Sequence, residues 1–206
     1  MNQEISNWNL EKPTSITPSG FFGNSINNIV EIENFLTQIT KVNLIAVISL
    51  RYFNVVGCSE FQLSDNSTEN LVPKVFQKIE AKESPEIYGS DYPTHDGTCV
   101  RDYVHIADLI SAHLTLFDNF EIGNHQIFNV GSGIGYSVHE VMNTIEREID
   151  KKLDIRVINR RSGDASKLVA SIEKLKLLTR WKPVETLDSM IKSAWLGWCK
   201  NKEKND

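Results

Sequence analysis

The stretch Val42-Asn43-Leu44-Ile45-Ala46-Val47-Ile48-Ser49-Leu50 constrains the fold most, because it is apolar at successive rather than alternate positions. Such a strand has to be covered on both faces, which is the situation inside a parallel sheet. Parallel strands need crossover helices. A helical pattern precedes the run: Ile26, Ile29, Val30, Glu33, Phe35, Leu36 and Ile39 fall mainly on one face, and Asn24 or Ser25 can cap the first turn. Few other sheet-forming runs occur before residue 127, so Val42–Leu50 reads as the edge of a sheet whose other strands are missing from this sequence. Residues 1–16, polar and broken by Pro13, read as a mobile arm.

The second informative stretch runs from Ile87 to His105. Gly89, Pro93 and Asp96-Gly97 are turn residues set between aromatics, and Arg101 stands between acids and aromatics just ahead of a helical pattern at Ile106–Phe117. An ordered loop with one fixed arginine suits a phosphate-bearing, ring-containing ligand; it suits equally a surface connection whose Arg101 pairs with Asp96 or Asp102. Elsewhere Arg51–Asn54 leads into an irregular stretch to Ser67, and a helix is expected at Glu69–Ala81. Short strands follow at Ile127–Val130 and Asp154–Ile158, with helices from Ser137, at Ser171–Leu178 and at Thr186–Lys200. Glu140 completes a capping box with Ser137. His113, Trp195 and Trp198 read as core residues.

Several classes of function are excluded by composition. The net charge is −5 with the basic residues dispersed, so the broad basic face of a nucleic-acid binder is missing. No apolar run approaches the ~20 residues that a membrane helix needs. Cys58, Cys99 and Cys199 are odd in number and far apart, which argues against disulfides and a zinc site and for a reducing, cytoplasmic setting.

Three constellations could carry chemistry. Gly131-x-Gly133 after a strand and before a helix resembles a dinucleotide-binding turn, but the third glycine comes at Gly135, one position early; a tight turn explains it as well. Arg160-Arg161-Ser162-Gly163-Asp164 places guanidinium and carboxylate on one rim, as either a solvated turn or half of a diphosphate clamp completed by Arg101. His95, Asp96, Asp102 and His105 match no common metal spacing, and Cys99 lacks an assigned base.

Taken together, Leu50-Arg51-Tyr52-Phe53-Asn54, Asn70-Leu71-Val72-Pro73, the loop Ile87–His105, Phe128-Asn129-Val130-Gly131, Arg160-Arg161-x-Gly163-Asp164 and Trp181-Lys182-Pro183 resemble the UDP-glucose 4-epimerase family of extended short-chain dehydrogenase/reductase-type enzymes. The resemblance runs from about Ile16 to Lys200. It implies an α/β fold: a Rossmann-type parallel sheet, here an incomplete remnant at residues 17–57, and a smaller α/β domain for the UDP-sugar at residues 58–206. Carried over by position, Asn54 meets the sugar-phosphate region, Asn70 and Leu71 the phosphates or uridine, and Ile87 and Tyr88 lie along the uracil. Arg101, Arg161 and Asp164 grip diphosphate and ribose, and Phe53 at most borders the cofactor.

The departures from the family pattern carry equal weight. The family's G-x-x-G-x-x-G loop, which holds NAD, has no counterpart in residues 1–40, so NAD binding by this chain alone is not expected. Aligning on Gly23 and Ser25 puts Phe22 and Ile26 where the family has its Tyr and Lys. Neither can take the sugar hydroxyl's proton or lower a phenol's pKa. The expectation is a UDP-sugar-binding chain without epimerase activity of its own, acting as a homo-oligomer, beside a complementary epimerase chain, or as a non-catalytic partner.

Overall fold

The computed structural model describes residues 21–42, 45–60, 64–67 and 69–202, with side chains from Ile29 onward. It is an α/β structure built mainly from parallel strand pairs, as the sequence implied. Helix α1 (Phe21–Val42) leads to strand β1 (Val47–Tyr52), which pairs in parallel with β5 (His125–Val130). Strand β2 (Asn54–Val56) runs parallel to β4 (Val100–His105), and β3 (Glu86–Tyr88) is parallel to β7 (Arg156–Ile158). The first half of β4 also pairs with β6 (Gly135–Ser137), antiparallel, and with β8 (Lys167–Leu168), parallel. Five more helices complete the chain: α2 (Leu71–Glu80), α3 (Ile106–Phe117), α4 (Val138–Glu148), α5 (Glu173–Thr179) and α6 (Leu187–Lys202).

Two apolar clusters hold these elements. One joins α2, α4 and α6 over β3 and β4 through Phe76, Ile87, Tyr103, Met142, Ile145, Met190 and Trp198. Trp198 and Trp195 meet the Phe76 ring edge-on at 5.9 and 5.0 Å, and Trp198 Nε1 donates to Glu80 Oε1 at 2.7 Å, so the tryptophan pair is core packing as expected. The other cluster packs α3 and α5 against β5 through Leu109, Leu116, Phe128, Leu175 and Trp181. Strand β1, before residue 57, thus finds its partner far along the chain in β5.

Four expectations need correction. The strand of the Val42–Leu50 run begins only at Val47, because α1 continues through Val42; β1 is also half-buried along its length rather than buried on both faces, since β5 is its one described neighbour. Helix α1 starts by Phe21, so Asn24 and Ser25 lie inside it rather than at its cap. The stretch after Phe53 is not wholly irregular, because Asn54–Val56 finds a parallel partner in β4. His113 is exposed: α3 buries Asp108, Leu109, Ala112 and Leu116, which turns Ile110, His113, Leu114 and Phe117 outward. The buried Asp108 decides this rotation by accepting from the backbone N–H groups of Val184 and Glu185 at 3.0–3.1 Å.

Two histidines tie the layers together in neutral form. His105 caps α3, its Nδ1 accepting from Ala107 N at 3.0 Å, and its Nε2 lies 2.9 Å from Ser193 Oγ. His125 bridges Thr37 and Ser49, each at 2.8 Å. Burial pushes both below the usual histidine range; Glu185 and Asp108 oppose it at His105, and Glu33 opposes it at His125. A histidine with a lowered folded pKa contributes fully above its unfolded pKa of about 6.5, and that contribution is lost as pH falls through this value towards the folded one. The melting temperature is therefore expected to fall from pH 7.5 to 5.5, and a flat profile over that window in calorimetric scans would refute this.

Candidate functional site

The site lies where the Ile87–His105 segment meets the turn after β7. The loop between β3 and β4 holds itself in shape: Asp96 accepts from Thr98 N and Oγ1 at 2.9 and 2.8 Å and from Ser137 Oγ at 2.5 Å, while Tyr92 N donates to Gly97 O at 2.9 Å. The Arg160 guanidinium stacks 4.2 Å over the Tyr92 ring and pairs with Asp91 at 2.5 Å, fastening the β7 turn to this loop. Arg101 is not on the loop as the sequence suggested. It stands in β4, where the strand's alternation turns Asp102 into the core and Arg101 outward.

Seven of the eight residues expected to bind substrate, namely Asn54, Asn70, Leu71, Tyr88, Arg101, Arg161 and Asp164, line one cleft of about 190 Å³. Arg101 Nη1 donates to the carbonyls of Val100 and Ala165 at 2.9 and 2.7 Å, and Nη2 reaches Asp164 at 3.4 Å. Arg161, exposed, lies 3.7 Å over the Tyr88 ring. Asn54 Nδ2 donates to Asp102 O at 3.0 Å, which fixes its amide at the cleft floor. Asn70 and Leu71 form the start of α2, whose cap carries no side-chain hydrogen bond. No side chain caps the start of this ten-residue helix, and helix N-termini favour anions.

The eighth residue, Ile87, sits between two residues that line the cleft. Its side chain is 2% exposed and packs in the core, because β3 sends Glu86 and Tyr88 to the cleft and the residue between them inward. Sequence reasoning missed Lys74 and Lys78, whose i,i+4 spacing on α2 sets both on the cleft wall. Lys74 Nζ stands 5.9 Å from the Tyr88 centroid, and Lys78 is paired with Glu83 at 2.5 Å. Cys99 also lines the cleft, but burial pushes its thiol up, against the pull of Arg101, so it is a poor nucleophile. Among the described residues no group of three His, Cys, Asp or Glu could hold a metal.

The glycine turn after β5 has a different occupant from the one its spacing suggested. Ser132 N, Ser132 Oγ and Gly133 N donate to the buried carboxylate of Asp102 at 2.7, 2.7 and 2.9 Å, and Ala170 N joins them at 3.0 Å. A Cβ at Gly131 would come within 2.6 Å of Asp102 Oδ2, so the glycine is there to admit an internal carboxylate. This anion-cradling turn is filled by Asp102, and β6 rather than a crossover helix follows it. Phe53 borders a separate groove of about 590 Å³ between α1 and β1, where Glu33 and Arg51 pair in bidentate fashion. Among the described residues that line it there is no glycine-rich phosphate turn. Phe22 and Ile26 fall in the first turns of α1, but their side chains lie outside the described residues.

Residues 30–131 match the model of the NAD dependent epimerase/dehydratase family. The UDP-glucose 4-epimerase of Corynebacterium glutamicum is 38% identical over 169 residues, which are 81% of this chain and 51% of that protein. The chain belongs to the NAD dependent epimerase/dehydratase family. A second epimerase relative, the Drosophila melanogaster enzyme, is 36% identical over 158 residues, covering 73% of this chain and 45% of its own length. The crystal structure of UDP-glucose 4-epimerase from Bifidobacterium longum in complex with NAD+ and UDP superposes with a TM-score of 0.75 at 31% identity, over 84% of this chain and 53% of that one. The Stenotrophomonas maltophila enzyme, solved with NAD and formylated UDP-arabinopyranose, gives 0.76 at 28% identity, over 90% and 56%. The chain thus spans about half the length of the epimerases it matches. No helix among the described residues is long and apolar enough to cross a membrane.

Proposed function

We propose that this chain is an epimerase-like nucleotide-sugar-binding protein that takes a UDP-sugar in the Arg101–Arg161 cleft and does not interconvert UDP-glucose and UDP-galactose by itself. The carrying observation is the convergence of Arg101, Arg161 and Asp164 with Tyr88 and the uncapped start of α2 in one cleft. In this reading the exposed Arg161 guanidinium and the α2 amides meet the diphosphate, and Asp164 accepts from ribose hydroxyls. Tyr88 offers the ring face for uracil, with the Ile87 backbone beside it. Arg101, already bonded to two carbonyls, orders Asp164 as much as it contacts ligand.

Catalytic silence follows from residue chemistry. Hydride chemistry at C4 of the sugar needs a group to remove the hydroxyl proton, and the loss of such a base alone costs about 10²–10⁴-fold in rate. A phenyl ring at Phe22 and an alkyl chain at Ile26 have no proton to exchange. NAD, where bound in this family's members, supplies the hydride acceptor; the filled turn at Asp102 leaves this chain's described residues without a cradle for it.

A calorimetric titration of the purified chain with UDP-glucose tests the reading. One site per chain is expected, with affinity unchanged by NAD, together with no UDP-galactose formation above background in a coupled assay. Absence of binding by a folded chain would overturn the site, and turnover that disappears in an Arg161→Ala control would overturn the silence. The weight then moves to whether this half works beside another chain.

A further inference from the structure

Helix α2 and strand β3 meet in the apolar core through Val75, Phe76 and Ile87, and both also line the cleft, α2 with Lys74 and Lys78, β3 with Glu86 and Tyr88. Three of these four side chains have polar partners. Lys78 is paired with Glu83 at 2.5 Å, Glu86 lies 3.6 Å from Arg156, and the Tyr88 hydroxyl donates to Glu86 at 3.3 Å. Lys74 differs: half-buried on the cleft wall, its ammonium makes no hydrogen bond or ion pair with a described residue, and the Tyr88 ring stands 5.9 Å from its Nζ. An ammonium has three donors and no acceptor, so one partly withdrawn from water gains from any acceptor that enters beside it.

The distance to Tyr88 says what that acceptor is. An aromatic ring paired with Tyr88 has its centroid about 4.5–7 Å from the Tyr88 centroid. Lys74 Nζ stands in the same shell, so the rim of a paired base comes beside the ammonium. The exposed Arg161 guanidinium lies 3.7 Å over the Tyr88 ring, and a base that takes its place frees it for the phosphates. Lys74 is one helical turn beyond Asn70, away from the start of α2 assigned to the diphosphate, which sets it at the edge of the base remote from the sugar.

We propose that Lys74 selects the nucleobase of the bound nucleotide sugar: its ammonium donates to the O4 carbonyl of a pyrimidine lying on Tyr88, which favours uracil and thymine over cytosine. This deepens the nucleotide-sugar reading above and rests on it. Uracil and thymine present an acceptor at that position, whereas cytosine presents an amino donor and leaves the ammonium without a partner.

The purified chain, titrated by calorimetry with UDP-glucose and with CDP-glucose beside Lys74→Met and Lys74→Arg, tests the proposal. The parent is expected to hold UDP-glucose at least about 10-fold tighter than CDP-glucose, the scale of one hydrogen bond to a charged group. Lys74→Met should lose about that factor with UDP-glucose and change CDP-glucose by less than about 3-fold, so that the preference collapses. Lys74→Arg keeps a charged donor and should keep most of the preference. A lysine that acts only through the diphosphate would weaken both nucleotides alike, and a ratio that survives Lys74→Met, or a parent that binds the two sugars equally, would overturn the proposal while leaving the cleft standing. A folded parent that binds neither would overturn the cleft reading, and the selection with it.

Discussion

Replacing Asp102 by Ala is expected to destabilise the chain by about 4 kcal/mol or more, since three backbone donors, two of them buried, lose their acceptor at about 1–3 kcal/mol each. The donors are Ser132 N, Gly133 N and Ala170 N, and the carboxylate itself is fully buried. Burial pushes the Asp102 carboxyl up, while the surrounding donors pull it down. All four partners donate, so a carboxylate fits and a neutral amide does not: Asp102→Asn is expected to retain only part of the loss, because its NH₂ must face an N–H. For a chain of this size, 1 kcal/mol corresponds to roughly 2–4 °C, so Asp102→Ala should lower the melting temperature by roughly 8–16 °C or prevent folding. A shift within two or three degrees of the parent would remove Asp102 from its place as the pin between β4, the glycine turn and the approach to α5.

The same residue marks the limit of what could be read without coordinates. Local chemistry was legible: the capping box at Ser137 and Glu140 forms as written, and the turn residues between Gly89 and Gly97 do build an ordered loop. So was the convergence of the two arginines and Asp164, which share the cleft although Arg101 and Arg161 stand 60 positions apart. Long-range partners were not. Nothing in the sequence pairs Asp102 with Gly131–Gly133, and the glycines accordingly resembled a cofactor turn when they serve an internal anion. Glu33 falls on the mainly apolar face of α1, and its partner, Arg51, lies on the next strand. Periodicity set the wrong face of α3 inward for a related reason. Ile110, Leu114 and Phe117 are apolar enough for a core, but the buried Asp108 and its two backbone donors fix the rotation, and the apolar stripe is left facing outward.

Two arginine substitutions should separate a ligand-binding cation from a structural one. Arg161→Ala is expected to weaken UDP-glucose binding about 10–100-fold, the range set by losing a hydrogen bond to a charged group at about 1.5–3 kcal/mol. Its melting temperature should stay within about 1 °C, since the exposed guanidinium rests on the Tyr88 ring and surface substitutions of this kind change stability by about 0.5 kcal/mol or less. Arg101→Ala is expected to weaken binding and to lower stability together, because its guanidinium bonds the carbonyls of Val100 and Ala165 where β4 meets β8. Arg161→Lys should recover charge but not the planar two-point grip, and so fall between Ala and the parent. If both alanine variants bind UDP-glucose like the parent, the diphosphate does not lie between these arginines. If Arg161→Ala loses stability in step with affinity, the stacking on Tyr88 is holding the β7 turn in place and the cleft owes its shape, rather than its charge, to that residue.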